Sequence, residues 1–305
     1  MFHNSSDRLR GAWWGGIIAI DATSLAVDPY TLPWAIERQK LANLLLDREL
    51  SEPELVKMVA NLATFPAQLQ HNSSLLSLLP LTMFSAVLPT RQLREVLHNH
   101  LESANEFHND AVLDIRGWEY LLTEVLDSKF NLPADCKLIG SGIEAHPIDR
   151  SLLPEKLSLV SESIANGSSL NLLADKLSVF EAPISTAIAL AWYCFATTPH
   201  DFSLSVRRAA KVTSEATWLT AALTGTLSGA YNGMAEISGY WRTDNRDTQK
   251  QLEQQLFQRL FARWLGMYHR EEAASLNLDL EAIALPGNIQ PRQSLKIVSQ
   301  RSALK

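Results

Sequence analysis

The chain is short of cysteine, of long apolar runs and of basic surplus, and each shortage excludes a class of protein. Only Cys136 and Cys194 are present, with no C-x-x-C pair. Two lone thiols are too few for a disulfide-stapled secreted domain, so a reducing cytoplasm is the expected compartment. The apolar stretch Trp13 to Ile20 stops at Asp21 and is far shorter than the roughly 20 residues that cross a bilayer. A buried helix is expected there, and no membrane anchor. With 27 Lys and Arg against 33 Asp and Glu, the formal net charge is -6, which offers no electrostatic footprint for nucleic acid. The Gly-rich phosphate loops G-x-x-x-x-G-K-[ST] and G-x-G-x-x-G are both missing, as is the G-x-S-x-G elbow of a serine hydrolase.

What is present is ordinary globular material. Hydrophobic residues make up 46% and charged residues 20%, enough to bury a sizeable core. Apolar residues recur at helical spacing along most of the chain while strictly alternating runs are scarce, which predicts an all-α fold. A first helix is expected from about Asp7 through Gly11, Gly15 and Ile18, its small residues letting a second helix approach closely. Ser51-Glu-Pro-Glu54 reads as a capping box before a helix through Leu55, Val59 and Leu62. Leu93, Val96, Leu97 and Leu101 form a further stripe after Pro89. Another helix is expected from Asp110 through Trp118 to Val125. Asn131 to Pro154, with Gly140, Gly142 and three prolines, reads as a long connection. Two segments rich in small residues, Ser185 to Phe195 and Ala209 to Tyr231, are expected as central helices. Leu252, Leu256, Leu260, Phe261 and Trp264 are expected on one face of a last long helix. Residues 1–284 read as a single domain, and residues 285–305, with Arg292, Lys296, Arg301 and Lys305 and no acid, as a basic tail.

Several segments, in order, resemble the ADP-ribosylglycohydrolase family. Arg10-Gly11-Ala12 through Gly15 and on to Asp21-Ala22 resembles the pattern R-G-A-x-x-G followed by G-D-A, with one residue of slippage. His71-Asn72-Ser73-Ser74-Leu75-Leu76-Ser77-Leu78-Leu79-Pro80-Leu81 resembles G-N-G-x-x-M-R-x-x-P-L, without its glycines and arginine. Gly225-Thr226-Leu227-Ser228-Gly229-Ala230-Tyr231-Asn232-Gly233 resembles G-A-L-A-G-A-Y-x-G, and Ile237 with Trp241-Arg242 resembles I-P-x-x-W-R. Ala187 to Phe195, Asp201-Phe202 and Arg207 to Ala210 fit the helix pair that precedes this signature.

The resemblance implies an all-α, multi-helix fold and cleavage of ADP-ribose from modified targets by a pair of magnesium ions, held by acidic runs T-D-D-T and D-T-D-T. Counting back from Ser51 places the early run at Thr31-Leu32-Pro33-Trp34. Counting back from Gly225 places the late one at Ala216-Thr217-Trp218-Leu219. Neither has a carboxylate, and Glu215 is the only acid between Asp201 and Glu236. Two magnesium ions need several converging oxygen ligands, so the metal site is expected to be lost and no cofactor is expected. A metal-free route wants two carboxylates about 5–10 Å apart, for which Asp21 and Glu215 are the candidates. Each reads more readily as a helix-end or salt-bridged acid. Asn72, Ser73, Ser74, Thr213, Ser214 and Thr217 are candidate lining for a polar pocket, and also ordinary caps and helix hydroxyls.

These readings favour a degenerate family member that binds an ADP-ribose-like ligand or a protein partner. The alternative is an active hydrolase of ADP-ribosyl or related bonds with a rearranged site. The eight histidines are scattered and read as surface residues. Cys194, inside an apolar run, reads as core. Adjacent Trp13 and Trp14 point about 100° apart on a helix, suiting one to the core and the other to an interface.

Overall fold

The computed structural model describes residues 5–23, 33–47, 74–80, 82–83, 109–126, 152–180, 182–212, 217–237 and 248–264. Among them the regular structure is all helix, as the periodicity predicts. In chain order the helices are α1 (Ser5–Asp21), α2 (Pro33–Asp47), the single turn α3 (Ser74–Ser77), α4 (Asn109–Leu126), α5 (Leu153–Ala165), α6 (Leu170–Ser178), α7 (Pro183–Ala196), α8 (Phe202–Ala209), α9 (Thr217–Asn232) and α10 (Thr248–Trp264). No described helix is long and apolar enough to cross a membrane.

The centre is the antiparallel pair α1/α9, and its glycines explain how two backbones come so close. Gly11 lies against Gly229 and Gly15 against Gly225. A Cβ added at Gly11 would stand 2.0 Å from the Gly229 carbonyl oxygen, and one at Gly15 would stand 2.1 Å from that of Gly225. The four-residue spacing on both helices puts the bare positions on one stripe of each, so the helices meet backbone to backbone. Gly16 continues the seam against Ala222 and Thr226. Two buried hydroxyls on α9 are satisfied within the helix. Thr224 and Thr226 donate to the carbonyls of Thr220 and Ala222 at 2.7 and 3.0 Å, which makes them tolerable inside a core.

Around this pair α4, α7 and α8 pack on α9, and α5 and α6 pack outside α7. Helix α7 is apolar all round and buried along nearly its whole length, as a central helix must be. The C-terminal ends of α9 and α4 are tied together by Arg8, whose Nε donates to the Ala230 carbonyl at 2.8 Å and whose Nη2 donates to that of Val125. A cation there also complements both helix dipoles.

The structure departs from the sequence expectations in three places. Ala209 to Tyr231 is not one helix: α8 ends at Ala209, its terminal amides folding back at Ala210 and Val212, and α9 starts afresh at Thr217. Pro154 is not in a connection but in the first turn of α5, where a missing N–H costs nothing. On α10 the buried face is Glu253, Leu256, Phe257, Leu260 and Phe261, whereas Leu252 is 51% exposed. Leu256, Leu260 and Phe261 keep the expected face, which shifts by only about 25° at 100° per residue as Glu253 takes the inward place to meet a buried arginine. Trp13 is fully buried, and Trp14 is partly buried against the same core. The capping box at Ser51, the stripe from Leu93 to Leu101, the connection up to residue 151 and the tail 285–305 lie outside the described residues.

Candidate functional site

Helix register brings Asp21 and the described part of the late run, from Thr217, to one end of the α1/α9 pair. With Gly15 opposite Gly225, Asp21 lies about 9 Å further along α1 and Thr217 about 12 Å back along α9, at 1.5 Å per residue. Both therefore sit at the same pole. Helices α2 and α3 pack together beside this pair. Ser77 Oγ donates to the Trp34 carbonyl at 3.4 Å, and a Cβ on Gly16 would meet Leu76 of α3 at 3.9 Å.

The side chains at the counted positions are mostly committed to packing. Trp34, the second residue of α2, is 2% exposed and Leu219 is 0% exposed; both belong to the main core. Trp218 is half-buried against it. Thr217 donates its hydroxyl to the Val212 carbonyl at 2.7 Å, tying the start of α9 to the residues that follow α8. Asp21 ends α1 and is exposed. Just beyond it Thr23 caps the last turn, its hydroxyl and its amide both donating to the Ile20 carbonyl. Ser74 begins α3. The other candidates, Asn72, Ser73, Thr213, Ser214 and Glu215, lie outside the described residues.

The described residues at these positions, Pro33, Trp34, Thr217, Trp218 and Leu219, do not fit a magnesium ligand set. They supply one hydroxyl and no carboxylate, where the ion wants an octahedron of oxygens. The Trp34 Nε1 is buried with no acceptor among the described residues, and an N–H donor cannot ligate a cation. Among the described residues no group of three or more His, Cys, Asp or Glu is placed to hold a metal ion.

Three buried charges were missed in the sequence. Arg38 and Glu253 are 1% and 0% exposed and form an ion pair at 3.0 Å between α2 and α10. Glu253 also accepts from Gln39 Nε2 at 2.7 Å and from Trp13 Nε1 at 3.1 Å. The Arg38 guanidinium lies between the Trp13 and Trp34 rings, 4.5 and 5.0 Å from their centroids, an arrangement that suits a weakly hydrated planar cation. Lys156 of α5, also fully buried, donates to the Ala182 carbonyl, Ser185 Oγ and Thr186 Oγ1 at 2.8, 2.9 and 2.7 Å. Burial pushes its ammonium down to about 8, against the opposing pull of Asp114 and Glu155. A sequence signal existed for both cations, since Arg38 recurs with Trp34, Leu41 and Leu45, and Lys156 with Leu153 and Val160, at helical spacing.

The family can now be identified. A family model described as ADP-ribosylglycohydrolase matches residues 52–270. The chain belongs to the ADP-ribosylglycohydrolase family. The matched stretch contains the His71–Leu81 and Gly225–Arg242 segments, while Arg10–Ala22 and Thr31–Trp34 precede it. A solved structure described as an ADP-ribosylglycohydrolase-related protein complex is similar at a TM-score of 0.53 and 18% identity, with 85% of this chain and 98% of that one covered. At that identity the likeness shows a shared fold. Among curated proteins nothing matches.

Proposed function

We propose that this member of the ADP-ribosylglycohydrolase family is a non-hydrolysing binding module, whose ligand is an ADP-ribose-like molecule or a protein. The observation that carries the reading is the want of any carboxylate in the two counted runs, where Pro33 and Trp218 stand at positions the resemblance gives to aspartate and Trp34 and Leu219, at the closing threonine positions, are buried in the core. A charged ligand set cannot be rebuilt at those positions without a large desolvation cost. Function follows the site rather than the fold, and apart from the Thr217 hydroxyl the described part of this site is apolar and aromatic. Residues 1–284 are read as one domain working in the cytoplasm, with 285–305 as a basic tail.

Calorimetric titration of the purified protein with ADP-ribose, with and without magnesium, tests the proposal. Binding that ignores magnesium supports a ligand-binding module, and no binding in either condition moves the role to a protein partner. Binding that requires magnesium overturns the loss of the metal site. A second reading, hydrolysis by a rearranged site, draws on Asp21 standing at the same pole as the start of α9. It predicts turnover of an ADP-ribosylated substrate that disappears in Asp21→Asn or Glu215→Gln. No turnover in the wild type removes it.

A further inference from the structure

Helix α6 is the outermost of the described helices on its side, packing only on α5 and α7 among them in any depth. Its buried stripe is Leu173 and Leu177. The opposite stripe is Leu172, Asp175, Lys176 and Val179, all exposed, at spacings of three, four and seven residues that place them on one face. Val179 is 79% exposed, the most exposed of the large hydrophobic side chains described, and Leu172 is 49% exposed. The α5–α6 hairpin sets Leu152, 38% exposed, at the Val179 end. Lys156, one turn beyond Leu152, lies 5.4 Å from the Phe180 ring centroid. The face thus carries an apolar group at each end and two opposite charges in the middle. Neither charge has an opposite partner on its own helix, because the positions three and four residues from Asp175 and Lys176 are Asn, Leu, Ser, Val or Phe.

We infer that this face of α6 pairs with the same face of a second copy of the chain, antiparallel about a two-fold axis between residues 175 and 176. The order of the four side chains reads as its own complement when reversed. The axis sets Leu172 of one copy on Val179 of the other and Asp175 of one on Lys176 of the other, each contact made twice, which is the requirement for an isologous interface. In a parallel pairing Asp175 would face Asp175 and Lys176 would face Lys176, so the charges select the antiparallel arrangement. A nine-residue helix is only about 13 Å long, and its face is smaller than a standard stable interface. The association is therefore weak, with a dissociation constant on the order of 100 µM.

Sedimentation equilibrium of the full chain between roughly 5 and 500 µM, a range that brackets such a constant, tests the pairing. The wild type is expected to pass from monomer to dimer. Asp175→Lys and Lys176→Asp, each exposed and harmless to folding, are each expected to weaken it by about tenfold or more, since both central contacts become repulsive. An equimolar mixture of the two variants, and the double variant D175K/K176D, are expected to regain association because each restores opposite charges across the axis. A wild type that stays monomeric throughout overturns the inference. So does a dimer indifferent to both single variants, because the second copy then sits elsewhere, and so does a mixture that fails to associate.

Discussion

Replacing Gly229 by alanine separates the close-approach account of α1/α9 from ordinary helix propensity, because the two predict opposite signs. In an isolated helix the change gains about 1 kcal/mol. Here the new Cβ would stand 2.0 Å from the Gly11 carbonyl oxygen, and separations under 3.0 Å do not occur. The backbones must then part by about 1 Å along the seam that holds the core. No rotamer can relieve the clash, because the group struck is main chain. Overpacking of this kind costs about 1–3 kcal/mol and sometimes more. With the propensity gain subtracted, G229A is expected to be destabilised by about 1–2 kcal/mol, a fall in Tm of about 2–3 °C for a chain of this size. Thermal and urea unfolding followed by circular dichroism at 222 nm measure it. The double variant G11A/G229A adds a sharper test. Once the helices have parted for one methyl, the facing one costs less, so the two losses should be sub-additive by about 1–2 kcal/mol. Gly167→Ala serves as a control, since φ is +63° there with nothing within 4 Å. It should cost about 1 kcal/mol of local strain and add independently to G11A. A G229A protein as stable as the wild type, or more stable, would refute the argument.

Three further outcomes follow from the buried charges and the thiol. Arg38→Met or Glu253→Met alone should cost about 3–5 kcal/mol, as removal of one partner strands the other in the core. R38M/E253M should recover most of the loss, which a double-mutant cycle in urea would read. Lys156 has its folded value lowered from 10.5 to about 8, so between those values the unfolded chain binds more protons and stability rises with pH. The penalty is fully present below about 8, and Lys156→Met should flatten the rise in urea midpoint measured from pH 7.5 to 10.5. Cys194 is buried and its thiol is pushed up to about 12 by desolvation. In a Cys136→Ser background it should resist iodoacetamide at pH 8 in the native state and react fully in urea.

Much of the fold was legible because helices announce themselves through one period. The starts expected for α1 and α4, near Asp7 and Asp110, came within two residues, and the small residues Gly11 and Gly15 forecast the close approach of another helix. The resemblance segments at Asn72 and Gly225 lie within the stretch that shows the family. The break between α8 and α9 was not legible, because alanine-rich sequence is compatible with one helix or two and the decision rests on local bonds such as Thr217 to Val212. The candidate site was legible only as positions. That Asp21 and Thr217 share a pole follows from the antiparallel register of α1 and α9, which no single helix encodes.

Sequence by itself determined the helical class, the family and the want of carboxylates at the two counted positions, because period, motif and residue identity are all local properties. Only the tertiary structure decided that α10 turns Glu253 inward and Leu252 outward, that Arg38 and Lys156 are interior cations, and that Trp34 and Leu219 are core residues. A charged side chain reads as surface until a specific opposite charge or a set of acceptors from a distant part of the chain offsets its desolvation. Those partners are 214–240 residues away for Glu253 and 26–30 for Lys156, so the offset exists only once the helices have packed.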